Sequence, residues 1–154
     1  MRRTPILVMV VAVLVVMLAP AAIATPPMDV EIVADITIDD VAGPFVASGA
    51  AVDAGLMCDV GEAEGVLVTQ PRAHKKSTTF KIDYTFTCDD GSGTFVVRLN
   101  VRLFETGDTT ARWRITDGSN TYVDLKGNGR LVGIPNDPPD GMILDVYTGT
   151  VHIN

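Results

Sequence analysis

Residues 80–88 read Phe-Lys-Ile-Asp-Tyr-Thr-Phe-Thr-Cys, and this stretch decides the fold. Apolar side chains take every second position and polar side chains take the positions between them, as in a half-buried β-strand. The same alternation recurs in residues 30–38, 95–103 and 111–115, and residues 142–152 form a last predicted strand whose two faces are both partly apolar. Turns rich in glycine, aspartate and proline separate these segments. The pattern predicts an all-β fold without helices, a closed antiparallel β-barrel of about eight strands, with a β-sandwich as the alternative.

The N-terminal 24 residues have the layout of a secretory signal peptide. Arg2 and Arg3 precede the unbroken apolar run 6–18, and a small-residue stretch ends at Ala24. This run is shorter than a membrane-spanning helix, which needs about 20 residues, and an uncleaved anchor that continues to residue 23 is the alternative. The sequence therefore predicts cleavage near Ala24 and a single β-barrel domain over residues 25–154. The expected location is the periplasm or the exterior of the cell.

The charge of the predicted exported part restricts its partners. Residues 25–154 hold ten Lys and Arg against 19 Asp and Glu, a net charge of −9. An acidic surface repels phosphate backbones, so nucleic acid is not an expected partner. The candidates that stay open are a small lipophilic molecule, a component of the cell envelope and further copies of the chain.

Two cysteines, Cys58 and Cys88, lie in the predicted exported part. In an oxidising compartment such a pair most often forms a disulfide, which is the prediction here. Cys88 has the same parity as Phe86, so its sulfur should point toward the core. A metal or redox pair is the alternative, but the spacing is far from C-x-x-C and neither His74 nor His152 has ligand spacing. No metal site and no cofactor are predicted.

The most specific motif follows the fourth alternating segment. It has the form W-x-I-x-x-G-S-x-x-Y-x-x-L-x-G-x-G and is made by Trp113, Ile115, Gly118, Ser119, Tyr122, Leu125, Gly127 and Gly129. It resembles the G-T-G-x-Y-x-x-L-x-G-x-G signature of secreted bacterial proteins with an allene-oxide-cyclase-like or dirigent-like β-barrel. Weaker similarity in residues 87–95 and 147–152 extends the resemblance to about half of residues 25–154.

The resemblance implies a closed barrel of about eight strands. Plant members of the two groups cyclise an unsaturated epoxide or steer phenoxy-radical coupling, but none of their active-site residues has a matching position here. Asn120 stands where the signature has a second glycine, and asparagine tolerates a left-handed backbone. The motif glycines are interpreted as architectural, because Gly127 and Gly129 place no side chain where strands crowd. Tyr122 and Leu125 are expected to pack inward and close one end.

An arginine stripe, which is the most unusual charge pattern, lies on two consecutive strands. It consists of Arg98, Arg102, Arg112 and Arg114. A hairpin turning at residues 106–108 would place Val101 opposite Trp113 and Arg102 opposite Arg112. Like charges in such positions are destabilising, so the stripe needs acidic partners on a neighbouring strand or an anionic ligand. Trp113 itself belongs to the apolar face and is predicted to lie in the core.

Three functional classes follow. A non-catalytic extracellular binding or structural module is favoured, because no G-x-S-x-G elbow and no evident carboxylate pair supports catalysis. A small-molecule isomerase or cyclase would need an open, largely apolar lumen of some 300 Å³ or more for a lipophilic substrate. A cell-envelope-interacting factor would use the arginine stripe or the short basic run of residues 72–76.

Overall fold

The computed structural model describes residues 24–136 and 141–154, and the predicted signal peptide lies outside them except for Ala24. The elements are β1 (Met28–Thr37), β2 (Ala42–Ser48), α1 (Ala50–Asp53), β3 (Val60–Leu67), β4 (Arg72–Ala73), β5 (Ser77–Cys88), β6 (Thr94–Phe104), β7 (Thr109–Gly118), the 3-10 helix η1 (Asn120–Tyr122), β8 (Leu125–Pro135) and β9 (Met142–Ile153). The last strand agrees with its predicted bounds to within one residue.

The sheet closes on itself. Its long strands follow the order β3-β2-β1-β9-β8-β7-β6-β5, and β3 also pairs with β5, which joins the two ends. Every pairing is antiparallel. The short strand β4 lies outside this ring and pairs with β5 at Thr78 and Thr79. The predicted eight-stranded antiparallel barrel is therefore confirmed, and the β-sandwich alternative is wrong.

Aromatic side chains fill the centre of the barrel. The ring of Phe86 stacks on Phe95 with centroids 5.0 Å apart, and it packs edge-on against Phe45 at 5.0 Å and Tyr147 at 5.6 Å. All four side chains are buried. Each such pair contributes about 0.5–1.5 kcal/mol beyond the burial of its surface. These rings occupy the place that a ligand inside the barrel would have to take.

Trp113 lies in the core, as predicted, and rests on a pair of glycines. Gly129 of β8 is directly opposite Gly149 of β9. A Cβ added at Gly129 would lie 2.7 Å from Cε2 of Trp113, and one at Gly149 would lie 2.5 Å from its Cζ2. The indole Nε1 donates to the carbonyl oxygens of Arg130 and Thr148 at 3.0 and 3.2 Å. The motif glycine Gly129 thus admits the indole to the backbone of two strands.

The rest of the motif closes one end of the barrel. Tyr122 and Leu125 are both buried, as predicted, and the Tyr122 hydroxyl lies 2.6 Å from the hydroxyl oxygen of Ser92. Asn120 adopts a φ of 52°, so it supplies the left-handed backbone expected of it. A side chain at Gly118 would overlap the carbonyl oxygen of Tyr122. The motif residues therefore serve packing and turn geometry at this end.

The predicted disulfide between Cys58 and Cys88 is present, with the two Cα atoms 6.0 Å apart. It ties the segment after α1 to the end of β5, beside the Tyr122 hydroxyl. A bridge across 30 residues of sequence stabilises a fold by about 3–4 kcal/mol in the chain-entropy model. A disulfide fits an extracellular location.

Two helical turns depart from the prediction that the chain has no helix. The four residues of α1 follow Gly49, whose φ of 105° redirects the chain at the end of β2. Ala51 in α1 is buried, and Leu56 and Met57 just after it pack on the core. A helix of one turn is too short to show a helical period in the sequence. The second turn, η1, lies inside the glycine motif.

The register of the β6–β7 hairpin differs from the prediction by two residues. Trp113 lies opposite Leu99 rather than Val101, and Arg112 lies opposite Asn100 rather than Arg102. The cause is the turn, in which the Gly107 N–H donates to the Phe104 carbonyl oxygen and Gly107 has a φ of 91°. A tight turn of this kind, with a left-handed glycine, closes the hairpin one residue earlier on each strand.

The glycine pair under Trp113 gives a direct test of the packing. Gly129→Ala is expected to lower the free energy of unfolding by about 3 kcal/mol, because the new methyl group meets the indole and the Thr148 carbonyl. Gly91→Ala is the control, since its methyl group meets open space and only its φ of 73° adds strain, about 1 kcal/mol. Urea denaturation measures both. Equal losses for the two variants would contradict this account of the motif.

Candidate functional site

A groove of about 740 Å³ runs along the outer face of β5, β6, β7 and β8. The outward positions of these strands supply its cationic side chains, which are Lys81, Arg102, Arg112 and Arg130, and Arg72 of β4 adds a fifth. Period-two alternation turns these side chains away from the lumen, and all five are exposed. The volume lies within the range of sites for small ligands. We call this feature the basic groove.

The strand register sets like charges side by side in the basic groove. Lys81 is opposite Asn100, Asn100 is opposite Arg112, and Arg112 is opposite Arg130, so the four residues form one row across the sheet. Arg102 lies two residues along β6 from this row. Directly opposed like charges destabilise a sheet by up to about 1 kcal/mol. The Arg112–Arg130 pair therefore has a cost that the fold alone does not require.

Acidic partners neutralise one arginine of the predicted stripe. Arg98 donates from Nε to one oxygen of Asp83 at 2.7 Å and from Nη2 to the other at 2.6 Å, and this bond and charge raise the pKa of Arg98. Over residues 24–136 and 141–154 it is the one salt bridge that the structure holds. Acidic partners, one of the two expectations for the stripe, are thus found for Arg98, whereas Arg102, Arg112 and Arg114 have no salt bridge among the described residues.

The basic groove contains only part of the predicted stripe. Arg102 and Arg112 line it, whereas Arg114 lies opposite Arg98 on the next row and outside the groove. Segment 68–72 forms one wall: the Val68 N–H donates to the Lys81 carbonyl at 2.8 Å, and the Lys81 N–H donates to the Thr69 hydroxyl at 2.9 Å. These bonds fix the wall along β5 beside the arginines.

A second polar group lies inside the barrel. Asp145 of β9 points inward and is buried, and a Cβ at Gly133 would overlap both its Oδ1 and the hydroxyl oxygen of Thr109. Gly133 therefore makes room for two polar side chains. Within the described parts of the chain, neither Asp145 Oδ1 nor the Tyr147 hydroxyl has a hydrogen-bond partner.

The environment of Asp145 shifts its ionisation. Burial raises the pKa of the Asp145 carboxyl to about 7. Burial, and then the charge of Asp145, raise the pKa values of Tyr84 and Tyr147 above their ordinary range. Both phenols therefore stay protonated, and Asp145 is the member of this lumenal group that titrates near neutral pH. The filled lumen leaves this carboxyl little access to a substrate.

The predicted arginine stripe omitted Lys81 and Arg130 of the groove, and Asp145 was also missed. Arg130 alternates with the motif glycines on β8, so the sequence indicates that its side chain points outward. Its position beside Arg112 depends on the long-range β7–β8 register. Asp145 was missed because both faces of the last strand are partly apolar, with Leu144 and Val146 on one side and Ile143 and Tyr147 on the other. Nothing in that pattern shows which face is inward.

Residues 24–136 and 141–154 contain no group of three or more His, Cys, Asp or Glu side chains placed as metal ligands would be. Over the same residues, no helix is long and apolar enough to cross a bilayer. Comparisons with protein-family models, with curated proteins and with solved structures found no match. The site must be interpreted from its own chemistry.

The raised pKa of Asp145 predicts how stability depends on pH. An aspartate in the unfolded chain has a pKa of about 3.9. The folded protein therefore binds one more proton than the unfolded chain between about pH 4 and pH 7. The stability that comes from binding this proton is fully present below the unfolded pKa of about 3.9, and it is lost as the pH rises through the folded pKa of about 7. Asp145→Asn keeps a neutral side chain and should remove that loss.

Thermal denaturation from pH 4 to pH 8 tests this expectation. The difference in unfolding free energy between Asp145→Asn and the original protein should increase in favour of the variant as the pH rises, by a few kcal/mol at pH 8. Asp124→Asn changes an exposed carboxyl and is the control, with a difference curve expected to be flat. A flat curve for Asp145→Asn as well would show that Asp145 is ionised at no cost in the folded state.

Proposed function

We propose that this protein is a non-catalytic extracellular binding module and that the basic groove binds an anionic ligand. The ligand is a polymer or small molecule that carries phosphate or carboxylate groups, as components of cell envelopes do. The observation that carries the proposal is the Arg112–Arg130 pair, held side by side in a groove where no carboxylate of residues 24–136 or 141–154 forms a salt bridge with it. Residues 25–154 have a net charge of −9, so a groove lined by five cationic side chains contrasts with the charge of the rest of the domain.

The geometry of the groove supports an anionic ligand. Guanidinium groups bind phosphate and carboxylate through two parallel hydrogen bonds, and arginine keeps its charge at every pH a cell meets. Arg102, Arg112 and Arg130 come from three adjacent strands of a closed barrel, so a rigid backbone fixes their spacing. Arg72 and Lys81 add two further cations at the wall. A ligand with several negative groups would offset the repulsion between Arg112 and Arg130, which lie directly opposite each other.

The filled lumen favours a binding role over the isomerase or cyclase alternative. That alternative requires an apolar cavity inside the barrel, and the stacked rings of Phe86 and Phe95 occupy its centre. The barrel agrees with the architecture that the allene-oxide-cyclase-like and dirigent-like resemblance implies. We propose that resemblance as the family of the chain, and the basic groove as the feature that sets its ligand.

Binding of defined polyanions tests the groove. Polyphosphate and polygalacturonate, each end-labelled, should bind the exported protein in fluorescence anisotropy, and neutral dextran should not. The double variant Arg102→Gln with Arg112→Gln should bind about 30-fold more weakly, because each cation contributes about 1 kcal/mol near an anionic surface. Affinity should fall between about 20 mM and about 200 mM salt, since exposed charges are screened.

A matched control removes the same charge elsewhere. Lys75→Gln with Lys76→Gln changes two exposed cations outside the groove and should leave the affinity within about twofold of the original. Preference for polyphosphate or polygalacturonate identifies the charged group of the ligand. Equal weakening by both double variants would show that attraction is unspecific, and absence of binding at low salt would refute the proposal.

A further inference from the structure

Five valines form an unbroken row across the outer face of the barrel. In the order β8, β9, β1, β2 and β3 they are Val132, Val146, Val33, Val46 and Val60, each directly opposite the next. Outward positions of a half-buried sheet ordinarily carry polar side chains. We call this feature the valine row.

Within the valine row, Val46, Val60 and Val132 are exposed and Val33 and Val146 are half-buried, and further apolar side chains extend the row. Val46 and Val132 keep 58% and 49% of their surface exposed. Ile134 and Leu144 are paired on the adjoining row and are also exposed. Together they make a contiguous apolar surface, in contrast to the scattered apolar residues of an ordinary exterior. Such a surface marks a contact with another molecule.

The two ends of the valine row carry opposite charges. At the β8 end, Arg130 precedes Val132 on the same face of the strand, and Arg112 lies beside it. At the β3 end, Glu62 and Glu64 follow Val60 on its outward face, and both are exposed. The surface is thus apolar along its length, basic at one end and acidic at the other.

We propose that the valine row is a contact surface for a second copy of this chain. The β8 end of one copy lies against the β3 end of its neighbour, so valines meet valines and Arg130 approaches Glu62. This arrangement satisfies the charges at both ends at once, and one chain supplies both. A lipid surface fits less well, because anionic headgroups would meet Glu62 and Glu64. The contact shares Arg130 and Val132 with the lining of the basic groove, but it requires no ligand there, and its test measures association without one.

Sedimentation velocity on the exported protein tests the contact, at concentrations from about 1 µM to about 100 µM, the range of moderate affinities. The mass should rise with concentration to a multiple of the monomer. Val46→Asp should stay monomeric, because it places an uncompensated charge in the row. Val123→Asp is the control: Val123 is 60% exposed but lies outside the row, so this variant should associate like the original.

Charge reversal tests the orientation. Glu62→Lys and Arg130→Glu should each weaken association about fivefold, as expected for exposed ion pairs, and the double variant should regain most of it. Circular dichroism checks that every variant keeps the fold. A monomeric original protein, or association of Val46→Asp equal to that of the original, would overturn the proposal. Failure of the double variant to recover would refute the end-to-end orientation.

Discussion

The packing of the Trp113 indole on two opposed glycines is the contact on which the rest of the barrel depends. An eight-stranded barrel has an interior just wide enough for side chains, so a large residue on one strand requires small residues opposite it. Gly129 and Gly149 meet that requirement, and the carbonyls of β8 and β9 accept the indole N–H. Gly61 does the same for Phe45 on the other side of the barrel. The fold is therefore specified from within.

Because the packing of the interior specifies the fold, the outward-facing positions are free to serve function. On β8 the inward residues Gly129 and Leu131 pack against the core, while Arg130 and Val132 between them face outward. Both of these outward residues line the basic groove, and Val132 also belongs to the valine row. A single strand thus contributes to the core, to the proposed ligand site and to the proposed contact between copies. Consecutive residues can serve different purposes because successive side chains of a strand point to opposite faces of the sheet.

Alternation in the sequence predicted the strands β1, β5, β6 and β7, the barrel and the burial of Trp113. The last strand, β9, was predicted with two partly apolar faces, and the cysteine pair of an exported chain predicted the disulfide. The strands β2, β3, β4 and β8 were not among the alternating segments. Pairing between strands was harder. The β6–β7 register depended on the left-handed backbone of Gly107, and a shift of two residues replaced Arg102 by Asn100 opposite Arg112. Arg130 entered the site through the β7–β8 register, which no local pattern encodes. Asp145 was hidden because its strand is apolar on both faces.

The two kinds of charged site differ in how they respond to pH, and this difference separates stability from binding. Arginine as a residue type keeps its charge across the physiological range, so the attraction of an arginine-lined site for an anion is set by salt rather than by protons. Asp145 lies in the lumen, where burial brings its pKa to about 7. A change in pH around neutrality therefore acts on the stability of the folded barrel through Asp145, whereas a change in salt acts on the exposed charges of the groove.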